Sequence, residues 1–220
     1  MGHKFSFQQR LVLATAAVFL FLLAGVGLYH ALRTPGMVTI DTRGHPSEGS
    51  GAARVQVVVF EDFRCYPCRE YALGVFPKVK RQYVDTGKVR YTFIPLGFME
   101  GSKLLGNAAV GVYKIAPDRF FAYAQALFKQ FGDREIDGSE RAALIQLAEE
   151  VGGIDGKRFS EVVEKNLYFG ELDRNLKMAR QVMGSDFGTP ALYVDGVATP
   201  TSSFRAVQGR IEQALKGVAQ

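Results

Sequence analysis

The sequence predicts an α/β fold preceded by an N-terminal transmembrane helix. Three observations carry that reading. An uncharged apolar run, Leu11 to Tyr29, opens the chain. Two short apolar runs, "VQVVVF" (Val55–Phe60) and "VRYTFIP" (Val89–Pro95), flank a stretch with helical spacing. Residues 100–183 then read as a block of amphipathic helices, after which strands return. The 220 residues are 47% apolar and 22% charged, enough for a sizeable core. The formal charge of +5 is mild and no Lys/Arg run exceeds two residues, so no nucleic-acid surface is expected.

The N-terminal run holds Thr15 as its only hydroxyl besides the boundary Tyr29. At about 1.5 Å per helical residue it nearly spans a bilayer core of ~30 Å. Lys4 and Arg10 precede it and only Arg33 follows closely, so residues 1–10 are expected as a cytoplasmic tail. Residues 11–30 are then a retained anchor or a cleaved signal. A signal's apolar region is usually about 7–15 residues and ends at an A-x-A-like site. This run is longer and no such site follows, which favours the anchor, though cleavage and secretion stay open. Either way the remainder is exported, to the periplasmic or extracellular side of the cell membrane. Residues 31–53, with "TPG", "RGHP" and "SEGSG", read as a flexible linker, in which "MVTI" (Met37–Ile40) is a candidate first edge strand.

"VQVVVF" has the valine-rich composition of a buried strand. From Pro67 to Asp85 the apolar residues Ala72, Val75, Phe76, Val79 and Tyr83 recur at helical spacing, Gly87 stops the helix, and Pro77 should kink it. "VRYTFIP" completes a strand–helix–strand unit whose strands should be parallel. Helical stripes follow at Leu104, Leu105, Ala108, Ala109 and Val112, and at Phe120, Ala124, Leu127, Phe128 and Phe131, the latter with Asp118 as N-cap. "DGSE" has capping-box spacing at Asp137 and Glu140, ahead of Leu144, Leu147, Ala148 and Val151. Phe159, Val162, Val163 and Leu167, then Leu172, Leu176, Ala179 and Val182, complete the set. "ALYVDG" and "VATP" read as a hairpin turning at Asp195-Gly196, and Ser203 can cap a last helix carrying Phe204, Val207, Ile211 and Leu215.

Both cysteines of the chain, Cys65 and Cys68, lie two residues apart where the first strand gives way to its helix. Outside the cytoplasm neighbouring thiols tend to be oxidised, yet so short a loop staples nothing. A free cysteine, with a pKa of about 8.5, is roughly 3% thiolate at pH 7. The unpaired amides of a helix start favour negative charge, so a Cys65 thiolate is stabilised there. Arg64 and Arg69 push the same way, and Glu61, Asp62 and Glu70 oppose them. Pro67 suits the first helical turn, where a missing N–H costs nothing. Cys65 is placed to attack or be attacked, and Cys68 to resolve the mixed disulfide. A zinc site would need two more ligands, and the only histidines are His3, His30 and His45, in the tail or linker. No metal or cofactor is expected.

In "VVVFEDFRCYPC", "DRFFAYAQALF", "LIQLAEEVGG" through "RFSEVVEKN", and "FGTPALYVDG", the chain resembles the DsbA-like branch of the thioredoxin superfamily, especially its membrane-anchored or secreted members. The resemblance runs from about residue 37 to the end. It implies a thioredoxin-like fold in two parts, residues 54–99 and 184–220, with an inserted helical domain, residues 100–183. It implies that Pro190 is cis and faces the cysteines, with Thr189 offering its backbone to an extended substrate strand. Members often carry a buried acid six positions before the first cysteine; here that position is Val59. The intervening Tyr66-Pro67 differs from the Pro-His of strongly oxidising members, which leaves the potential open. Arg64, Tyr66, Pro67 and Arg69 are the residues that could tune the thiol.

The expected activity is donation of the Cys65–Cys68 disulfide to reduced or misoxidised exported proteins, with a membrane redox partner to reoxidise the pair. The opposite direction, a reductase or isomerase kept reduced, is the first alternative. A non-catalytic, membrane-tethered chaperone or binding module is the second.

Overall fold

A strand covered on both faces must be apolar along its whole length, and the first valine run meets that condition. In the computed structural model, which describes residues 13, 15–25, 36–132 and 138–217, strand β2 spans Val55–Glu61. Val55, Val57 and Val59 face one apolar core, and Val58 and Phe60 face a second. Its parallel neighbour is β3, Val89–Pro95, in the register Val57↔Tyr91. On the other side it pairs antiparallel with β4, Ala191–Val194, which forms a hairpin with β5, Val197–Thr199. With β1, Ser47–Glu48, antiparallel to β3, the sheet order is β1-β3-β2-β4-β5.

The hairpin turn is as expected: Asp195 and Gly196 have φ of 47° and 77°. Gly196 is required twice over, since a Cβ there would strike the Val38 carbonyl. That contact accounts for the first correction. Met37–Ile40 is not a strand; Val38 N–H donates once, to the Gly196 carbonyl at 2.9 Å, while Val38 and Ile40 pack on the smaller core. The edge strand lies further along the expected linker, at Ser47–Glu48. Phe93 N–H donates to the Pro46 carbonyl at 2.8 Å, Ser47 Oγ meets Thr92 Oγ1 at 2.8 Å, and Lys80 pairs with Glu48 at 2.6 Å.

Helix α1, residues 66–84, carries the cysteines at its start. It alternates α and π turns, with π segments at Tyr71–Val75 and Lys80–Val84. Phe76 N–H reaches back five residues to the Tyr71 carbonyl, so the helix takes up Pro77 through a wide turn just ahead of it. Helices α2 (Ser102–Ile115), α3 (Phe120–Phe131), α4 (Glu140–Val151), α5 (Gly156–Lys165) and α6 (Phe169–Met183) follow between β3 and β4. Helix α7, Phe204–Gly217, closes the chain, its Ala206 N–H capped by Ser203 Oγ at 3.2 Å.

Two caps differ from expectation. Asp118 sits within a 3-10 turn, Pro117–Arg119, and α3 starts after it without a side-chain cap. The Asp118 carboxylate turns instead toward Arg119, 3.5 Å away. Asp137 lies outside the described residues, and Ser139 occupies the N-cap of α4.

The helical block does not have a core of its own. Buried residues of β2, β3, α1, α2, α3, α4, α5 and α7 form one continuous cluster. Phe63, between strand and cysteines, stacks on Phe93 at 5.6 Å and meets Phe128 of α3 at 4.8 Å with the rings tilted by 43°. The aromatic stripe of α3 is thus a packing face that steadies the cysteine turn. A second buried link is Asn107 of α2, which donates to the Val162 carbonyl at 2.9 Å and accepts from Tyr168 N–H at 2.8 Å.

The chain's contacts divide between Gly36 and Met37. On the N-terminal side, residues 15–25 are helical and Val18, Phe19, Phe21 and Leu22 are exposed. Among the described residues no helix is long and apolar enough to cross a membrane. The expected span of residues 11–29 extends over residues outside the described ones.

Phe63→Ala should cost about 3–5 kcal/mol, the range for truncating a buried phenylalanine. Urea unfolding of the reduced chain measures it, and a loss under about 1 kcal/mol would show that the ring does not tie the turn to the helical block.

Candidate active site

Strand β2 ends at Glu61 and α1 begins at Tyr66, so the intervening residues must turn sharply. Cys65 N–H donates to the Asp62 carbonyl at 3.1 Å, and Arg69 N–H donates to the Cys65 carbonyl at 3.1 Å. Cys65 is therefore the N-cap, with extended backbone (φ −80°, ψ 116°), and Pro67 lies in the first turn. Both thiols are free; Cys65 is 6% exposed and Cys68 is 0% exposed.

The two sulfurs are driven in opposite directions. Cys65 is lowered from 9.0 to about 6, first by a hydrogen bond from the Cys68 thiol, then by bonds from Thr189 and from the Cys68 backbone amide. Burial and the Asp62 charge oppose the shift. Cys68 is pushed far up, first by burial, then because it gives its proton to the shared bond, with the Glu61 and Cys65 charges adding to the effect. One hydrogen shared between two sulfurs makes the acceptor more acidic and the donor less so.

The third element arrives from the far end of the sequence. Cys65 Sγ lies 3.4 Å from the carbonyl oxygen of Thr189, and Thr189–Pro190 is cis, as the resemblance implies. Cys65, Cys68 and Thr189 are thus brought together, with Pro190 adjoining. The tuning candidates are dispersed. Arg64 is half-buried with its backbone N–H on Asp62 Oδ1 at 2.9 Å. Tyr66 is 60% exposed and Pro67 is exposed beside it. Arg69 runs toward the end of α3, its Cδ 2.6 Å from where a Gly132 Cβ would stand.

Val59 is buried in the main core, as its position on β2 dictates. Glu61, two residues on and so on the same side of the strand, is the buried acid near the thiols. Its carboxyl is held well above the usual range, by burial first and by the Cys65 charge second, against a bond with Tyr91. Asp62 is also fully buried. From sequence both are expected only to oppose the Cys65 charge, which Asp62 does; the signal for a buried acid is two consecutive acids at the end of a strand apolar on both faces. Among the described residues no three His, Cys, Asp or Glu side chains cluster as metal ligands.

An acidic, N-capping thiol paired with a buried partner and faced by a cis-proline loop defines a thiol–disulfide oxidoreductase of thioredoxin-like fold. The comparisons agree: a sequence model described as thioredoxin matches residues 41–213, and the chain belongs to that family as a DsbA-like thiol–disulfide oxidoreductase. Disulfide bond formation protein D of Bacillus subtilis is 28% identical over 177 residues, covering 80% of this chain and 79% of that protein. The probable disulfide bond formation protein D of Bacillus anthracis is 32% identical over 181 residues, covering 77% and 78%. The crystal structure of oxidised BdbD from Bacillus subtilis aligns with TM-score 0.75 at 26% identity, over 84% of this chain and all of that one. Chlamydia trachomatis DsbA shares the fold with TM-score 0.72 at 24% identity, over 81% of this chain and 96% of its own.

Alkylation of the reduced chain by iodoacetamide should follow one ionisation, half-maximal near pH 6, at Cys65. Because Cys68 supplies the largest part of the lowering, Cys68→Ala should move that midpoint upward. A midpoint that stays put would assign the acidity elsewhere. The sign for stability follows from the same shift. A folded pKa depressed from 9.0 to about 6 stabilises the reduced chain fully above about pH 9, and the contribution is lost as pH falls through about 6. The oxidised chain lacks the thiols, so the reduced-minus-oxidised difference in urea midpoint should rise between those limits.

Proposed function

We propose that the chain is exported and donates a Cys65–Cys68 disulfide to reduced proteins through a mixed disulfide at Cys65. The observation that carries this reading is the asymmetry of the thiols, one acidic and at the surface's edge, one buried and reluctant to ionise. A substrate thiolate attacks Cys65 Sγ, the S–S bond breaks, and its electron pair leaves on Cys68 sulfur, which takes up a proton. A second substrate thiolate then attacks the substrate sulfur of the mixed disulfide and releases Cys65 as a thiolate. The substrate is oxidised by two electrons and the pair is reduced by two.

Direction follows from which form is stabilised. A thiolate held at Cys65 by hydrogen bonds stabilises the dithiol over the disulfide, so the disulfide is readily given away. That argument favours oxidation of substrates over the reductase and isomerase alternatives. Extended polypeptide would lie beside Thr189 and Pro190, and Arg64, Tyr66, Pro67 and Arg69 would adjust the potential from around the turn. A membrane redox partner would reoxidise the pair.

The uncharged run of residues 11–29 supports a location at the membrane, with residues 1–10 in the cytoplasm and the catalytic domain outside, or secretion if the run is cleaved. The names of the relatives, disulfide bond formation protein D, agree with the reading.

Incubated with a reduced, unfolded protein, the oxidised chain should form disulfides in it. Cys65→Ser should abolish that activity, and Cys68→Ala, which has no disulfide to give, should trap a mixed disulfide through its Cys65 thiolate when incubated with a disulfide-bearing protein and run on a non-reducing gel. Equilibration with glutathione sets the direction: a midpoint near that of thioredoxin, about −270 mV, would overturn the oxidase reading.

A further inference from the structure

An ionised carboxylate can only accept hydrogen bonds, so a buried one must find donors. Asp62, fully buried, finds them on two separate segments. Its Oδ1 accepts from Arg64 N–H at 2.9 Å, within the cysteine turn. Its Oδ2 accepts from Phe98 N–H at 3.0 Å and Met99 N–H at 3.3 Å, and lies 2.8 Å from Ser102 Oγ. Ser102 Oγ is also 2.8 Å from the Met99 carbonyl, so its single proton serves one acceptor or the other. The Asp62 backbone carbonyl meanwhile holds Cys65 N–H. One residue closes the cysteine turn and fastens residues 98–102 beside it.

The fastened segment begins with two open apolar side chains, followed by exposed Glu100. Phe98 is 38% and Met99 39% exposed, unusual for side chains whose own backbone is held by a buried charge. The Phe98 ring meets Phe187 edge-on at 5.2 Å, two residues before Thr189, whose carbonyl approaches Cys65 Sγ. Tyr66, exposed, adjoins Cys65 in the chain. The reactive sulfur thus has a small apolar surface at a distance that Asp62 sets.

We propose that Asp62 is a positioning residue for exchange with polypeptides: its carboxylate locks the Phe98–Met99 segment to the Cys65 turn, so that an apolar side chain next to a substrate cysteine is held while that cysteine meets Cys65. The inference rests on the redox reading of Cys65. The substrate class is extended chain with a cysteine flanked by apolar residues, as in an unfolded core segment. The same carboxylate opposes ionisation of Cys65, which supplies a second, independent readout.

Asp62→Asn keeps the volume but turns an acceptor into a donor facing N–H groups. The full chain, oxidised, is reduced either by a cysteine peptide with apolar neighbours or by reduced glutathione, and the two second-order rate constants are compared. The peptide-to-glutathione ratio should fall about tenfold, the scale of one charge-assisted hydrogen bond. The Cys65 titration should also move to lower pH. Phe98→Ala and Ser102→Ala should lower the ratio without moving the titration, since neither removes a charge. A ratio unchanged in Asp62→Asn, or equal losses with both reductants, overturns the proposal and leaves Asp62 a support of the fold. Should Asp62→Asn fail to fold, unchanged ratios in both Phe98→Ala and Ser102→Ala overturn it equally. A wild-type chain that reacts with neither reductant fails the redox reading itself, which is a separate result.

Discussion

Everything at this site depends on one sulfur collecting more hydrogen bonds than its burial should allow. Burial raises every thiol, and for Cys68 it wins outright. At Cys65 it loses, first because the Cys68 thiol gives the sulfur a hydrogen bond, then because Thr189 and the Cys68 backbone amide add theirs. The neighbours two residues apart are therefore not equivalent halves of a pair. One is kept as a nucleophile and the other as the reserve that closes the ring.

The geometry is held by packing, and the packing explains the helical block. Phe63 inserts between β3 and α3, so the segment leading into the cysteines is wedged by the inserted helices. A single core runs from the sheet into that block. Within it the two acids divide the work by face. Glu61 follows the parity of Val57 and Val59 into the main core, while Asp62 reaches across to the segment after β3. Polar groups so deep are tolerable only where they have partners, and Asp62 has backbone donors on both carboxylate oxygens.

How much of this was legible depended on the range of the interaction. Patterns settled within a few residues could be read directly: the doubly covered strand at Val55–Phe60, the Asp195-Gly196 turn, the Ser203 cap and the N-cap location of Cys65. Features decided by distant partners could not. "SEGSG" looks like free coil, yet Ser47 and Glu48 become an edge strand because Thr92 and Lys80 await them. "MVTI" looks like a strand, but its Val38 N–H goes to the turn at Gly196. Asp118 is decided locally instead: it has the composition of a cap, and the tight turn that Pro117 begins displaces it. The carboxylate of Asp62 was the hardest, since its three donors beyond the cysteine turn lie near residue 100 and nothing in their spacing announces it. The cis bond at Pro190 was legible only through the family resemblance.

The contact between Cys65 and Thr189 joins residues 124 positions apart, and the strand after Thr189 can add to β2 only once the whole helical block has been made. Long-range pairings of this kind close late in assembly. An unfinished or loosened chain then has its C-x-x-C turn, and with it the Cys68 hydrogen bond that lowers Cys65 most, but not the smaller lowering that Thr189 adds. The last increment of acidity at Cys65 therefore arrives only when the two ends of the fold have met.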